Sequence, residues 1–322
     1  MKQKTMRQSS ALKKTRVNQL FLLTLLTFGP FFCSCSERIH VVPVIEDPGK
    51  VPVTISVSNL VQPEYARTRA MVDVGQVCSN LSICIYPGEG ETFDKIQINQ
   101  KSNDPDFGTA SRELTVGVHK IVVVAHNGDK NPTMTDARSI SFGNNTIMKL
   151  TDTFCWAGEV NVTKQTGTVD VSLVRATAMF RLNMSDDRIP SEVAQLQFAF
   201  KGGSAAVNPF TLEGTTKSNQ KETFIIQDHQ SKVFEVYTFP RYEEKNGERE
   251  LSKLEITVTA YDESGTAVKE RVLKDVPVVR NRITECTGYF FDGGSLQYST
   301  VGFGNLQVEP EWAGTDAYTM KE

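Results

Sequence analysis

The stretch Thr168–Met184, TVDVSLVRATAMFRLNM, constrains the fold more than any other part of the chain. Val169, Val171 and Leu173 sit at odd positions, whereas Val174, Ala176, Ala178, Phe180, Leu182 and Met184 sit at even ones. Side chains along a strand alternate between two faces, so an apolar set that changes parity cannot stay on one face of one continuous strand. Either a bulge near Val174 turns the strand over, or the chain leaves one sheet and enters another. The switch predicts a boundary between two β-sandwiches near residues 165–173.

The rest of the chain repeats this style. Val51, Val53, Ile55 and Val57 alternate with Pro52, Thr54, Ser56 and Ser58, a half-buried strand that Pro52 places at a sheet edge or near its own start. Further strands are predicted at Val77–Tyr86, Lys95–Asn99, Leu114–His126 (ended by Asn127-Gly128), Ser139–Leu150 and Gly158–Thr163. In the second half they fall at Leu196–Phe200, Val233–Phe239, Leu254–Ala260, Ala267–Val276, Arg282–Phe291 and Leu306–Trp312. Helical periodicity is nearly absent; Ser191–Gln195 is the one place for a single turn. With 322 residues, the pattern predicts an all-β chain of two tandem β-sandwich domains.

The first 35 residues are of a different kind. Residues 1–18 are polar and basic, and Leu20–Phe32 is apolar but too short to span a bilayer. A basic flank, a short apolar core and a small-residue end mark a secretory signal. Ser34-Cys35-Ser36 resembles a bacterial lipoprotein lipobox, with Phe32 where Leu is usual and Cys33 next to it. The resemblance implies cleavage before Cys35 and acylation of that cysteine, enough for stable membrane anchoring. Residues 1–34 are thus read as signal peptide, 35–50 as a Pro-containing tether, 51–165 as the first sandwich and 166–322 as the second.

Removing residues 1–34 takes away six basic residues and no acidic ones, leaving 29 basic against 38 acidic, a net charge of −9. Such a balance excludes a nucleic-acid binder that works by gripping phosphates. Of the cysteines that follow Cys35, Cys78 and Cys84 are too far apart in one extended strand to bridge, and with Cys155 and Cys286 they are expected as buried free thiols. No CxxC pair exists and His40, His119, His126 and His229 are scattered, so no zinc site and no cofactor are expected.

Catalytic motifs are missing as well: no GxSxG, HExxH, Walker loop or dinucleotide glycine pattern is present. Asn103-Asp104-Pro105-Asp106 lacks EF-hand ligand spacing and reads as a solvated loop. Glu243, Glu244 and Glu248 fall in a charged hairpin, RYEEKNGERE, and carboxylate pairs there suit solubility better than glycoside hydrolysis. Trp156 and Trp312 are read as packing residues before sugar platforms, and His126 as a turn residue. The chain is not expected to be an enzyme.

Three stretches together resemble the fimbrillin superfamily of Bacteroidales. They are Gly117–Asn127 (GVHKIVVVAHN), Val171–Phe180 (VSLVRATAMF) and Val279–Gly288 (VRNRITECTG), with Val308 and Trp312 adding a fourth element. The resemblance implies two transthyretin-like β-sandwich domains and a fimbrial anchor, stalk, accessory or tip subunit lodged by lipid in the outer membrane. In polymerising members an arginine-specific protease removes the first strand, and the next subunit's strand fills the groove by β-strand addition. Here Arg67 and Arg69, just after the first strand, are the candidate cleavage positions, and Leu306, Val308 and Trp312 mark the candidate donor strand. The partners implied are other fimbrial subunits, the outer membrane and a receptor on a host or bacterial surface. The competing expectation is a surface glycan-binding lipoprotein of a polysaccharide uptake system, which shares the anchor and sandwiches but needs exposed aromatic side chains on one face.

Overall fold

The computed structural model describes residues 49–61, 73–88, 94–142, 149–228, 231–292 and 315–318. Among these residues nine strands precede the parity switch: β1 Lys50–Val61, β2 Asn80–Tyr86, β3 Ile96–Lys101, β4 Thr109–Thr115, β5 Gly117–His126, β6 Thr133–Asp136, β7 Ser139–Ser141, β8 Thr153–Val162 and β9 Thr168–Arg175. A one-turn helix, α1 Val74–Val77, precedes β2, its first turn capped by the Asp73 carboxylate on the Gly75 N–H. Seven of the strands join in the order β3-β2-β5-β8-β9-β1-β4.

That sheet folds over on itself. β8 pairs with β5 along ten residue pairs but with β9 at two, Phe154 with Arg175 and Cys155 with Val174. Beyond this seam the leaflets β3-β2-β5-β8 and β9-β1-β4 separate and face each other. Val53, Ile55, Leu60 and Leu173 of one leaflet pack against Leu81, Ile83, Ile121 and Val123 of the other. The apolar run Ile121-Val122-Val123-Val124 is continuous because β5 is buried on both faces. Its odd residues enter this core, while Val122 and Val124 enter a second one with Met134, Ile140, Phe142, Val207 and Phe239.

The chain then builds a second sandwich from β10 Ala178–Met184, β11 Gln195–Gly203, β12 Ala206–Asn208, β13 Glu213–Gly214, β14 Ser218–Ile225, β15 Val233–Thr238, β16 Tyr242–Lys245, β17 Glu248–Leu251, β18 Leu254–Tyr261, β19 Ala267–Val276, β20 Ile283–Gly288 and β21 Thr315–Tyr318. One sheet has the order β15-β10-β20-β21, the other β14-β11-β18-β19. Between them lie Phe180, Phe198, Phe200, Phe234 and Phe290 with Leu182, Leu196 and Ile256. A further sheet, β13-β12-β7-β6, mixes strands of both halves, with Val207 opposite Ile140. The halves are therefore sewn together by a shared sheet and a shared core.

Several expectations need adjustment. The parity switch is a change of sheet, and it falls at Ala176-Thr177: β9 pairs with β1 and β8 of the first sandwich, so 166–175 belong with the residues before them and not with those after. β1 is an interior strand, not an edge. Pro52 is tolerated because it lies near the start: the Thr54 N–H donates to the Gly167 carbonyl on the β9 side, and Pro52, of the same parity, stands before β9 begins. Leu114–His126 is two strands, β4 and β5, meeting at Val116-Gly117. Over 191–195 the chain makes a turn at Ser191-Glu192, closed by the Val193 N–H on the Pro190 carbonyl, and enters β11 at Gln195, with no helix. Edge strands β4 and β14 carry too few apolar residues to be read from alternation.

Candidate functional site

β1 and its bed are the arrangement most open to function. The strand runs antiparallel to β4 through seven residue pairs, Lys50–Thr115 to Ser56–Thr109, and parallel to β9 through seven more, Thr54–Thr168 to Val61–Val174. Val53, Ile55, Val57 and Leu60 point into the core, each no more than 4 % exposed. The step from Val57 to Leu60 is longer because a bulge lies between Val57 and Asn59.

The bulge is met by the loop before β4. Gly108, at φ +88°, accepts the Val57 N–H at 2.7 Å, and a Cβ there would lie 2.9 Å from the Val57 carbonyl, so the position requires glycine on both counts. Buried Gln100 fixes this loop: its amide donates to the Asp106 and Thr109 carbonyls at 3.0 and 2.8 Å, and its carbonyl accepts the Gly108 N–H. The acidic cluster lies in the same loop, where Asp104 accepts the Lys101 N–H at 2.7 Å and closes a turn.

Residues of two of the motif stretches quoted above, Val171–Phe180 and Val279–Gly288, meet in a buried junction where the two sandwiches join. Arg175, 3 % exposed at the end of β9, donates from Nε and a terminal nitrogen to the Asp152 carboxylate at 2.9 Å each. Its other terminal nitrogen donates to Asn281 Oδ1 at 2.8 Å, and its guanidinium lies 4.7 Å from the Phe154 ring centroid. Thr177 Oγ1 also donates to Asp152, and the Asn281 N–H, at a backbone φ of 59°, donates to the Thr177 carbonyl. A buried cation with a bidentate carboxylate and a third acceptor meets the condition under which burial of charge is tolerated. Arg175 and Asn281 were legible as motif residues; their partner Asp152 carried no signal in the sequence.

At the far end of β5, Asn127 pins the loop before β2, accepting the Ser79 N–H and donating to the Val77 carbonyl. His126 is more than a turn residue. It is fully buried, its Nδ1 accepts the Gly128 N–H at 3.1 Å, and Phe142 stands edge-on with ring centroids 5.5 Å apart. That bond puts the ring proton on Nε2, which meets no acceptor among the described residues. Burial, and then the nearby Lys101 charge, push its pKa down from 6.5 to about 4.

Cys78, Cys84, Cys155 and Cys286 are all buried, the first three as free thiols. Burial pushes the Cys155 thiol up to about 12 and raises those of Cys78 and Cys84, so none of these three is a poised nucleophile. Among the described residues no three His, Cys, Asp or Glu side chains come together as metal ligands. Glu243 and Glu244 lie on the exposed β16–β17 hairpin, where Lys217 and Arg241 hold the Glu243 carboxyl below its usual range. Trp156 packs partly buried on the first core with its ring over Gly158, where a Cβ would approach it to 2.7 Å. Cys35, Arg67, Arg69, Leu306, Val308 and Trp312 all lie outside the described residues; Arg67 and Arg69 fall in the chain between β1 and α1.

Solved structures with a loosely similar course include a candidate adhesin from Bacteroides ovatus, 14 % identical over 76 % of this chain and 88 % of that one, with a TM-score of 0.45. A fimbrial assembly protein from Parabacteroides distasonis is 12 % identical over 74 % and 91 %, with a TM-score of 0.38. The fimbrial anchor protein Mfa2 from Porphyromonas gingivalis is 10 % identical over 68 % and 82 %, with a TM-score of 0.35. No curated protein matches the chain. A family model does match, over residues 47–320, and by that span the chain belongs to the family of unknown function DUF6562.

Proposed function

We propose that the chain is a non-enzymatic subunit of fimbriae attached to the outer membrane, an anchor or an accessory and tip component. In this reading lipid on Cys35 holds it to the membrane, and it assembles with other fimbrial subunits through β-strand addition and supports adhesion. The observation that carries the reading is the position of β1, the first described strand yet an interior strand of its sheet. A cut at Arg67 or Arg69 would separate β1 from everything after it. Its departure would leave facing backbone edges on β4 and β9 and the vacated sites of Val53, Ile55, Val57 and Leu60. Unpaired edges beside an apolar groove are costly in water and are relieved by an incoming strand with alternating apolar side chains. Leu306, Val308 and Trp312 of a neighbouring subunit are the proposed donor. The motif resemblance and the lipobox supply the rest; likenesses at TM-scores below 0.5 carry none of the weight.

Intact mass and N-terminal sequencing of protein recovered from outer membranes test this. An acylated Cys35 at the N-terminus supports an anchor. A free N-terminus just after Arg67 or Arg69, abolished by Arg67→Ala/Arg69→Ala, supports a subunit that polymerises by strand insertion. A chain that carries neither mark and never co-purifies with another sandwich subunit ends the proposal.

A further inference from the structure

We infer that the leaflet β9-β1-β4 opens from the first sandwich as one unit, and that Arg175 is the clasp holding it shut. Two features point to this, neither of them dependent on the strand-addition reading. The first is an asymmetry of pairing. β9 is laddered to β1 through seven residue pairs and to β8 through two, so the backbone binds the three strands to each other far more than to the leaflet opposite. The second is where a buried arginine network of this seam sits. Arg175 is the last residue of β9; Asp152 and Phe154, which it grips, belong to the start of β8 across the seam; and Asn281 belongs to the second sandwich. One side chain thus spans the moving leaflet, the fixed leaflet and the body behind them.

Local opening follows units with few bonds across their boundary. The leaflet has its own internal ladders, a narrow backbone seam and a polar clasp; the remaining restraints are the aliphatic core and the bonds of Gln100 and His119 to the two ends of β4, at Thr109 and Thr115. Among the described residues the second sandwich has no such joint: its sheets are held by five interleaved phenylalanines and stay closed when the leaflet moves. If β1 is exchanged during assembly, this opening is its route out of the sheet.

Native-state hydrogen exchange on the full chain, read by mass spectrometry, tests the inference. Segments 50–61, 109–115 and 168–175 are expected to exchange together and faster than 81–86 and 121–126. Arg175→Gln should speed those three by roughly tenfold or more and leave 195–203 and 254–261 unchanged. Equal acceleration of all strands would show plain structural glue and overturn the clasp, as would leaflet segments no faster than β2 and β5. A second variant covers the case in which Arg175→Gln does not fold. Val174 faces Cys155 across the seam, at a spacing within disulfide reach, so Val174→Cys can be bridged with oxidised glutathione. The bridged form should slow exchange of the three segments relative to its reduced form; no difference between the two also overturns the proposal.

Discussion

The two sandwiches are filled by different side chains, and the difference bears on what each can do. The first is aliphatic: Val, Ile and Leu from facing leaflets interdigitate, each filling a small separate site. The second is aromatic. Phe198 meets Phe224 edge-on at 5.5 Å and Phe234 at 6.0 Å, while Phe180 meets Phe200 at 5.9 Å, so rings from β10, β11, β14 and β15 lock one another. Small repeated sites can accept another strand of like pattern; interlocked rings cannot. The first sandwich also holds the first described strand in its interior, whereas the last described strand, β21, lies at the edge of the second.

The comparison is broken most forcefully at its aromatic side. Phe198→Ala should cost about 3–5 kcal/mol in urea unfolding, because the cavity cannot close against rings fixed by other strands. At the joint between the halves, Arg175→Met should lower the free energy of leaflet opening, read from exchange of 168–175, by about 1–3 kcal/mol, because half-buried Asp152 loses its cation. Adding Asp152→Leu should recover most of that loss; a double variant as unstable as the single one would show that the network's value lies elsewhere.

The first sandwich should also be the acid-sensitive one. His126 is held at about 4 when folded and returns to 6.5 when unfolded. Between these values the unfolded chain binds a proton that the folded chain does not. Stability present above pH 6.5 is therefore lost as the pH falls to 4, by up to about 3 kcal/mol. His126→Leu should flatten that part of the pH profile, and an unchanged slope would exclude His126 as its source. The smallest effect is expected on the open face of the second sandwich. Lys201 pairs with Glu255 at 3.0 Å but is 70 % exposed, so Lys201→Ala should shift unfolding by less than about 1 kcal/mol.

The strands that could be read from residues are those with one clean apolar face, such as Leu254–Tyr261, or two, such as β5. The Asp262–Gly265 turn was equally legible, and it forms with Asp262 Oδ1 accepting the Thr266 N–H and Gly265 at φ 82°. The edge strands β4 and β14 were not legible, because one polar face and one half-covered face leave no alternation. The same holds for the buried polar centres. Gln100 organises the loop under β1, and Asp186 accepts the N–H groups of Phe290, Phe291 and Asp292, yet each is an isolated polar residue in the sequence. Burial alone gives such residues their importance.

What the sequence by itself determined is local: strand positions, the parity switch, the turns and the balance of charge. These follow from the two-residue period of a strand and from the chemistry of single residues. Only the tertiary structure decided that β1 lies between β4 and β9, that the halves share a sheet, and that Arg175 closes on Asp152 and Asn281, 23 and 106 residues away. Pairing partners at such separations are chosen by which faces must leave water together, and no local pattern records that choice.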